Sequence, residues 1–164
     1  MHTDPLVLDL PDAAATRALG LSLGTHLFDG ALLLLHGTLG AGKTCLVGGI
    51  AAADEIVGPI QSPTYILVAE YPEGRVPLRH ADLYRLDDPR EVEALHLEER
   101  AGREGAWCVE WAERADAETW PADRLELHLA VAQEGRRATL TATGPRHARW
   151  LASVRATYTQ GGAS

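Results

Sequence analysis

Ala31-Leu32-Leu33-Leu34-Leu35 runs through His36 into Gly37-Thr38-Leu39-Gly40-Ala41-Gly42-Lys43-Thr44, and this stretch decides the fold. The unbroken apolar run is short and bounded, as expected of a strand buried on both faces. The next eight residues match G-x-x-x-x-G-K-[ST] between a strand and a helix, the context a phosphate-binding loop needs. Glycines at 37, 40 and 42 let the backbone wrap a polyanion, so that Thr38, Leu39 and Ala41 contribute main-chain N–H groups and the following helix presents its N-terminus. Lys43 then supplies a point charge between the β- and γ-phosphates, and Thr44 a hydroxyl for Mg²⁺.

Working outward, Leu6 to Leu10 alternates as a strand and Pro11 to Leu23 reads as a helix, with Asp9 or Asp12 near its start and Gly24 as its stop. A helix from about Lys43 to Ala53 follows the loop. Thr64 to Tyr71 and Val76 to Leu83 flank Pro72-Glu73-Gly74-Arg75 and read as a hairpin. Asp87 to Arg103 is helical, in one piece or broken, with Asp87 or Asp88 capping and Pro89 in the first turn. Ala106 to Val109 is a short apolar strand. Arg124 to Val131 alternates and pairs with Arg137 to Thr143 across Gln133-Glu134-Gly135, and Arg146 to Thr157 closes as a helix. The fold class is therefore α/β, a P-loop NTPase with a mixed central β-sheet and hairpins flanked by helices. The expected domain is single and spans residues 1–159, with 160–164 a frayed tail.

Composition limits the partners. The 164 residues carry fifteen basic and twenty-three acidic side chains, net −8. Diffuse nucleic-acid binding needs a basic face and is disfavoured. From Asp123 onward, however, six arginines face three acids, so any RNA contact is expected in the C-terminal quarter. Among the fifteen basic residues Lys43 is the one lysine, and asparagine is absent. An arginine-biased chain keeps a lysine where a compact charge is needed. Cys45 and Cys108 build no disulfide framework, and neither C-x-x-C nor a Cys/His cluster points to a structural zinc. The seven histidines are scattered without H-x-x-x-H spacing. The N-terminus lacks the basic start of a signal peptide and no apolar run reaches membrane-spanning length, so the expectation is a cytoplasmic protein with no membrane contact.

Without asparagine, and with its one lysine committed, the chain cannot form the Asn-Lys-x-Asp guanine reader, so ATP is the expected nucleotide. A carboxylate at the end of an apolar strand should hold Mg²⁺ or its water. Asp82, ending Leu78-Arg-His-Ala-Asp82, and Glu110, ending Ala106-Trp-Cys-Val-Glu110, both qualify, and either is a candidate to orient the attacking water. Between loop and acids, Pro63 keeps Ser62 extended in Ser62-Pro63-Thr64-Tyr65, a loop that presents Thr64 as a γ-phosphate sensor or a turn entering a strand. Arg85 near the phosphates and His80 beside Asp82 are secondary candidates.

G-T-L-G-A-G-K-T, S-P-T-Y, H-x-D-L-Y-R and V-E-W, in this order, resemble the TsaE (formerly YjeE) family of bacterial ATPases over roughly Leu6 to Val131. The resemblance implies Gly37 to Thr44 as the Walker A loop, Ser62 to Thr64 as a switch-like segment, Asp82 as a Walker B-like acid and Glu110 as a second acid assisting Mg²⁺ or orienting water. Trp111 would lie beside the nucleotide or a partner surface. Tyr65 stands where Phe is also common, and no motif matches beyond Val131. The resemblance further implies ATP and Mg²⁺ as cofactors and TsaB and TsaD as partners. The role would be N6-threonylcarbamoyladenosine formation on ANN-decoding tRNAs, with tRNA contacted through the complex and ATP hydrolysis resetting it. Two other classes fit a P-loop: a small-molecule kinase, which needs an acceptor pocket and an Arg-bearing lid, and a nucleotide-gated interaction module with negligible turnover.

Overall fold

In the computed structural model, which describes residues 3–61, Pro63 and residues 66–160, the apolar run forms β2 (Leu32–His36). Leu33 and Leu35 belong to one core cluster and Leu32 and Leu34 to the other, so this strand is covered on both faces. It lies at the centre of a sheet whose seven strands among the described residues also include β1 (Leu6–Leu10), β3 (Val68–Tyr71), β4 (Leu78–Asp82), β5 (Ala106–Glu110), β6 (Arg124–Val131) and β7 (Arg136–Thr143). Their order is β1-β7-β6-β2-β5-β4-β3. β2 runs parallel to β5 and β6, and β4 parallel to β5, while β3, β7 and β1 pair antiparallel with their neighbours. The expected mixed sheet with two hairpins is the observed one.

Helices α1 (Ala13–Thr25), α2 (Lys43–Ala53) and α5 (Pro145–Gln160) supply the large core on one face. Asp12 is the N-cap of α1 and accepts from Ala15 N at 2.8 Å. Helix α1 lies backbone-to-backbone against α2: a Cβ on Gly20 would stand 2.1 Å from the Leu46 carbonyl oxygen. This close approach fixes the direction of α2 and hence of the loop before it. The other face carries α3 (Pro89–Glu93) and α4 (Leu97–Arg100), whose Val92 and Leu97 pack with Trp107 and Trp120. Over β6 that face is open, and Glu126 is half-buried and His128 exposed opposite buried Leu125, Leu127 and Leu129.

Several expected boundaries move: α1 runs through Gly24, its expected stop, to Thr25, and two of the other shifts have a local reason. β3 begins at Val68 because Leu67 has φ 64, which extended pairing cannot include. The helix expected over 87–103 is two pieces because His96 sits at φ 53; Asp88 caps the first and Pro89 opens it. α5 continues to Gln160, the expected start of the tail.

Candidate nucleotide site

The parallel register aligns the chemistry. Leu35 of β2 is the Cα partner of Glu110 of β5, which is in turn the partner of Asp82 of β4. Both acids therefore finish their strands level with the start of the glycine-rich loop. A cavity of about 450 Å³ opens there, lined by Leu39, Gly40, Ala41, Gly42, Lys43 and Thr44 on one side and by Asp82, Tyr84, Arg85, Glu110 and Trp111 on the other.

Gly42 stands at φ 108 as the N-cap of α2, with no side chain capping the helix, so first-turn N–H groups are left for an anion. At Gly37 a Cβ would come 2.8 Å from the Leu129 carbonyl oxygen, which makes glycine necessary where the loop leaves the sheet. Arg136 of β7 holds the loop from outside: its Nε donates to the Ala41 carbonyl and its Nη2 to the Gly40 carbonyl, both at 3.1 Å. The sequence reading missed Arg136, because a contact from β7 to residues 40 and 41 leaves no local signal in the chain.

Lys43 Nζ donates to the Gly37 carbonyl at 2.5 Å and lies 4.0 Å from the centre of the Trp111 ring. Burial pushes its pKa below the ordinary lysine value, against the pull of Glu110, Glu113 and Asp82. Trp111 packs on Tyr84, with ring centres 4.9 Å apart, and both aromatics line the cavity. Trp111, for which the resemblance implies a place beside the nucleotide or a partner surface, lies against the glycine-rich loop's Lys43.

Thr44 Oγ1 donates to Glu110 Oε2 at 3.3 Å. The same carboxylate oxygen accepts from His80 Nε2 at 2.5 Å, and both partners are buried. Two hard oxygen donors 3.3 Å apart fit Mg²⁺, whose bonds of about 2.0–2.1 Å at right angles separate adjacent ligands by about 2.9 Å. Asp82 lies one strand further, half-buried, with Oδ1 accepting from Tyr84 N at 3.0 Å. Arg85 is exposed on the cavity rim, and Cys45 Sγ donates to the Ala13 carbonyl at 3.6 Å. Of the switch-like segment Ser62 to Thr64, Ser62 and Thr64 lie outside the described residues, as does Tyr65 beside it.

The histidines are not all scattered, contrary to the sequence reading. His36 and His128 are Cα partners on β2 and β6, with rings stacked at 4.3 Å. Parallel pairing of distant strands brings them together, which no local spacing reveals. No helix among the described residues is long and apolar enough to cross a membrane.

Comparison with known proteins agrees with this architecture. The family model described as threonylcarbamoyl adenosine biosynthesis protein TsaE matches residues 10–139. A tRNA threonylcarbamoyladenosine biosynthesis protein TsaE from Nostoc sp. is 45% identical over 147 residues, covering 84% of this chain and 89% of the relative. The protein of the same name from Bacillus subtilis is 37% identical over 133 residues, covering 80% and 82%. A crystal structure of YdiB from Bacillus subtilis superposes with a TM-score of 0.82 at 28% identity, covering 96% of this chain and 97% of the other. With a glycine-rich loop backed by two registered acids, and with relatives of this identity along most of its length, the chain belongs to the TsaE family.

Proposed function

We propose that this protein binds ATP with Mg²⁺ and hydrolyses it to reset or regulate a TsaB–TsaD transferase complex that forms N6-threonylcarbamoyladenosine on ANN-decoding tRNAs. The observation that carries the reading is the placement of the Glu110 carboxylate 3.3 Å from the Thr44 hydroxyl, at the mouth of the glycine-rich loop. The names of the relatives supply the tRNA-modification context.

Mg²⁺ held by Thr44 and Glu110, with Asp82 behind them, would neutralise phosphate charge. Loop N–H groups and Lys43 grip the phosphates and stabilise the charge that develops on the γ-phosphoryl oxygens as water attacks in line. Lys43 Nζ gives one of its three donors to the Gly37 carbonyl, which leaves two for phosphate oxygens. Glu110 or Asp82 orients the water. The acidic balance of −8 agrees with tRNA being held mainly by partners.

The test is phosphate release from ATP with no acceptor present, alone and with TsaB and TsaD. Release that rises with the partners and is lost in Glu110→Ala supports the reading. Transfer to an added small-molecule acceptor without release to water indicates a kinase. Nucleotide-dependent partner binding without turnover indicates an interaction module.

A further inference from the structure

Besides the nucleotide cavity, one group of side chains among the described residues has the composition of a transition-metal site. His36 ends β2 and His128 is its registered partner on β6. Glu126 precedes His128 by one pleat on the same open face of the sheet. One nitrogen of each imidazole and one Glu126 oxygen lie within 4.8 Å of one another. His36 Nε2 stands 3.2 Å from Glu126 Oε1, while its Nδ1 stands 3.2 Å from Glu113 Oε2. That second contact is the outer-sphere arrangement typical of a metal-bound histidine, in which the distal ring N–H donates to a carboxylate that fixes tautomer and ring plane.

We propose that His36, His128 and Glu126 form a binding site for a borderline divalent cation of the zinc class, with Glu113 orienting His36. Two imidazoles and one carboxylate suit Zn²⁺, Co²⁺ or Ni²⁺ and not Mg²⁺, which takes oxygen ligands. Zinc bonds of about 2.0–2.1 Å in tetrahedral array place ligand atoms about 3.3 Å apart, so closure asks for shifts on the order of 1 Å. His128 is exposed and can pivot, and the same exposure gives the cation its entry and leaves the fourth position to water. The bound cation would join β2 to β6 one residue before Gly37, at the root of the phosphate loop.

The experiment is equilibrium dialysis of the nucleotide-free protein against ZnCl₂ in the presence of excess Mg²⁺. It is run on the wild type and on His36→Gln, His128→Gln, Glu113→Gln and a control, His26→Gln, whose exposed imidazole is not a member of the cluster. The expected result is one zinc per chain, with affinity reduced at least about 10-fold in the His36 and His128 variants, reduced less in Glu113→Gln and unchanged in the control. X-ray absorption should then show two imidazole nitrogens and oxygen at about 2.0–2.1 Å. The melting temperature should rise with zinc in the wild type and not in His128→Gln, which alters an exposed side chain. Equal zinc affinity in the wild type and both histidine variants overturns the proposal, as does a sulfur ligand at about 2.3 Å, which would place the metal on a cysteine.

Discussion

His80 Nε2 lies 2.5 Å from Glu110 Oε2, joining the interior of β4 to the one carboxylate that also meets the Thr44 hydroxyl. The imidazole is fully buried, and its Nδ1 has no hydrogen-bond partner among the described residues, among which packing and the hydrogen bond to Glu110 hold the ring. His80 is a positioning residue for Glu110. His80→Ala should lower ATP turnover by about 10- to 100-fold, the usual cost of removing a group that orients a metal-facing carboxylate. Binding of ADP without Mg²⁺ should change little, because the glycine-rich loop is untouched. Equal losses in Mg²⁺-free binding and in turnover would mean that the histidine serves only the fold.

Lys43 Nζ lies 4.0 Å from the centre of the Trp111 ring and donates to the Gly37 carbonyl. A polyphosphate drawn to Lys43 brings negative charge beside this ring, so nucleotide binding should change tryptophan fluorescence. The other three tryptophans, Trp107, Trp120 and Trp150, are buried and should respond little. Trp111→Phe should therefore abolish most of the signal while binding followed by calorimetry persists. Lys43→Ala should weaken ATP binding about 10- to 100-fold, the equivalent of a charge-assisted hydrogen bond worth about 1.5–3 kcal/mol.

Arg136 reaches the phosphate loop from β7 and satisfies two of its carbonyls. Arg136→Gln should raise the Kd for ATP about tenfold through a looser loop, with a smaller effect on melting temperature. Arg137, next in sequence, is exposed and pairs with exposed Asp9. Arg137→Gln serves as the comparison and should leave ATP affinity unchanged, since surface pairs contribute little. An equal effect of the two substitutions would point to general charge, not to the loop contacts.

Much of this site is legible in the chain because its chemistry is local. The glycine spacing, Lys43 and Thr44 are contiguous, and the buried strand before them is announced by four consecutive leucines. Asp82 and Glu110 are legible as strand ends, but their order relative to β2 is not. Only the sheet order puts β5 between β2 and β4, and so brings Glu110 and not Asp82 to the Thr44 hydroxyl. The His36–His128 pair joins strands distant in sequence, whose register leaves no trace in local periodicity, and Arg136 meets a loop about 95 residues before it. The break at His96 and the late start of β3 depend on single left-handed residues without glycine, a choice made by tertiary packing.

His147 gives the fold an acid limit that can be measured. Leu32 N donates to His147 Nε2 at 2.9 Å, so that nitrogen carries no proton, and Nδ1–H donates to Asp123 Oδ1 at 2.7 Å. Burial lowers the imidazole pKa below 6.5, outweighing the attraction of Asp123. The unfolded chain then takes up a proton near pH 6.5 that the folded chain refuses, and stability falls as pH drops through that value toward the folded pKa. Burial disfavours the Asp123 anion, but hydrogen bonds from His147 and Arg146 prevail and hold its carboxyl at about 2. Its contribution, about 1–2 kcal/mol after allowance for solvent, is present above the unfolded value of 3.8 and is lost as pH falls from there toward about 2. Urea unfolding should accordingly show two descending steps, one below pH 6.5 and one below pH 4. His147→Gln, which keeps an acceptor near Leu32 N but cannot titrate, should flatten the first. Asp123→Asn should flatten the second and lower stability at pH 7. A first step that survives in His147→Gln would assign it to another histidine and remove this account of the acid limit.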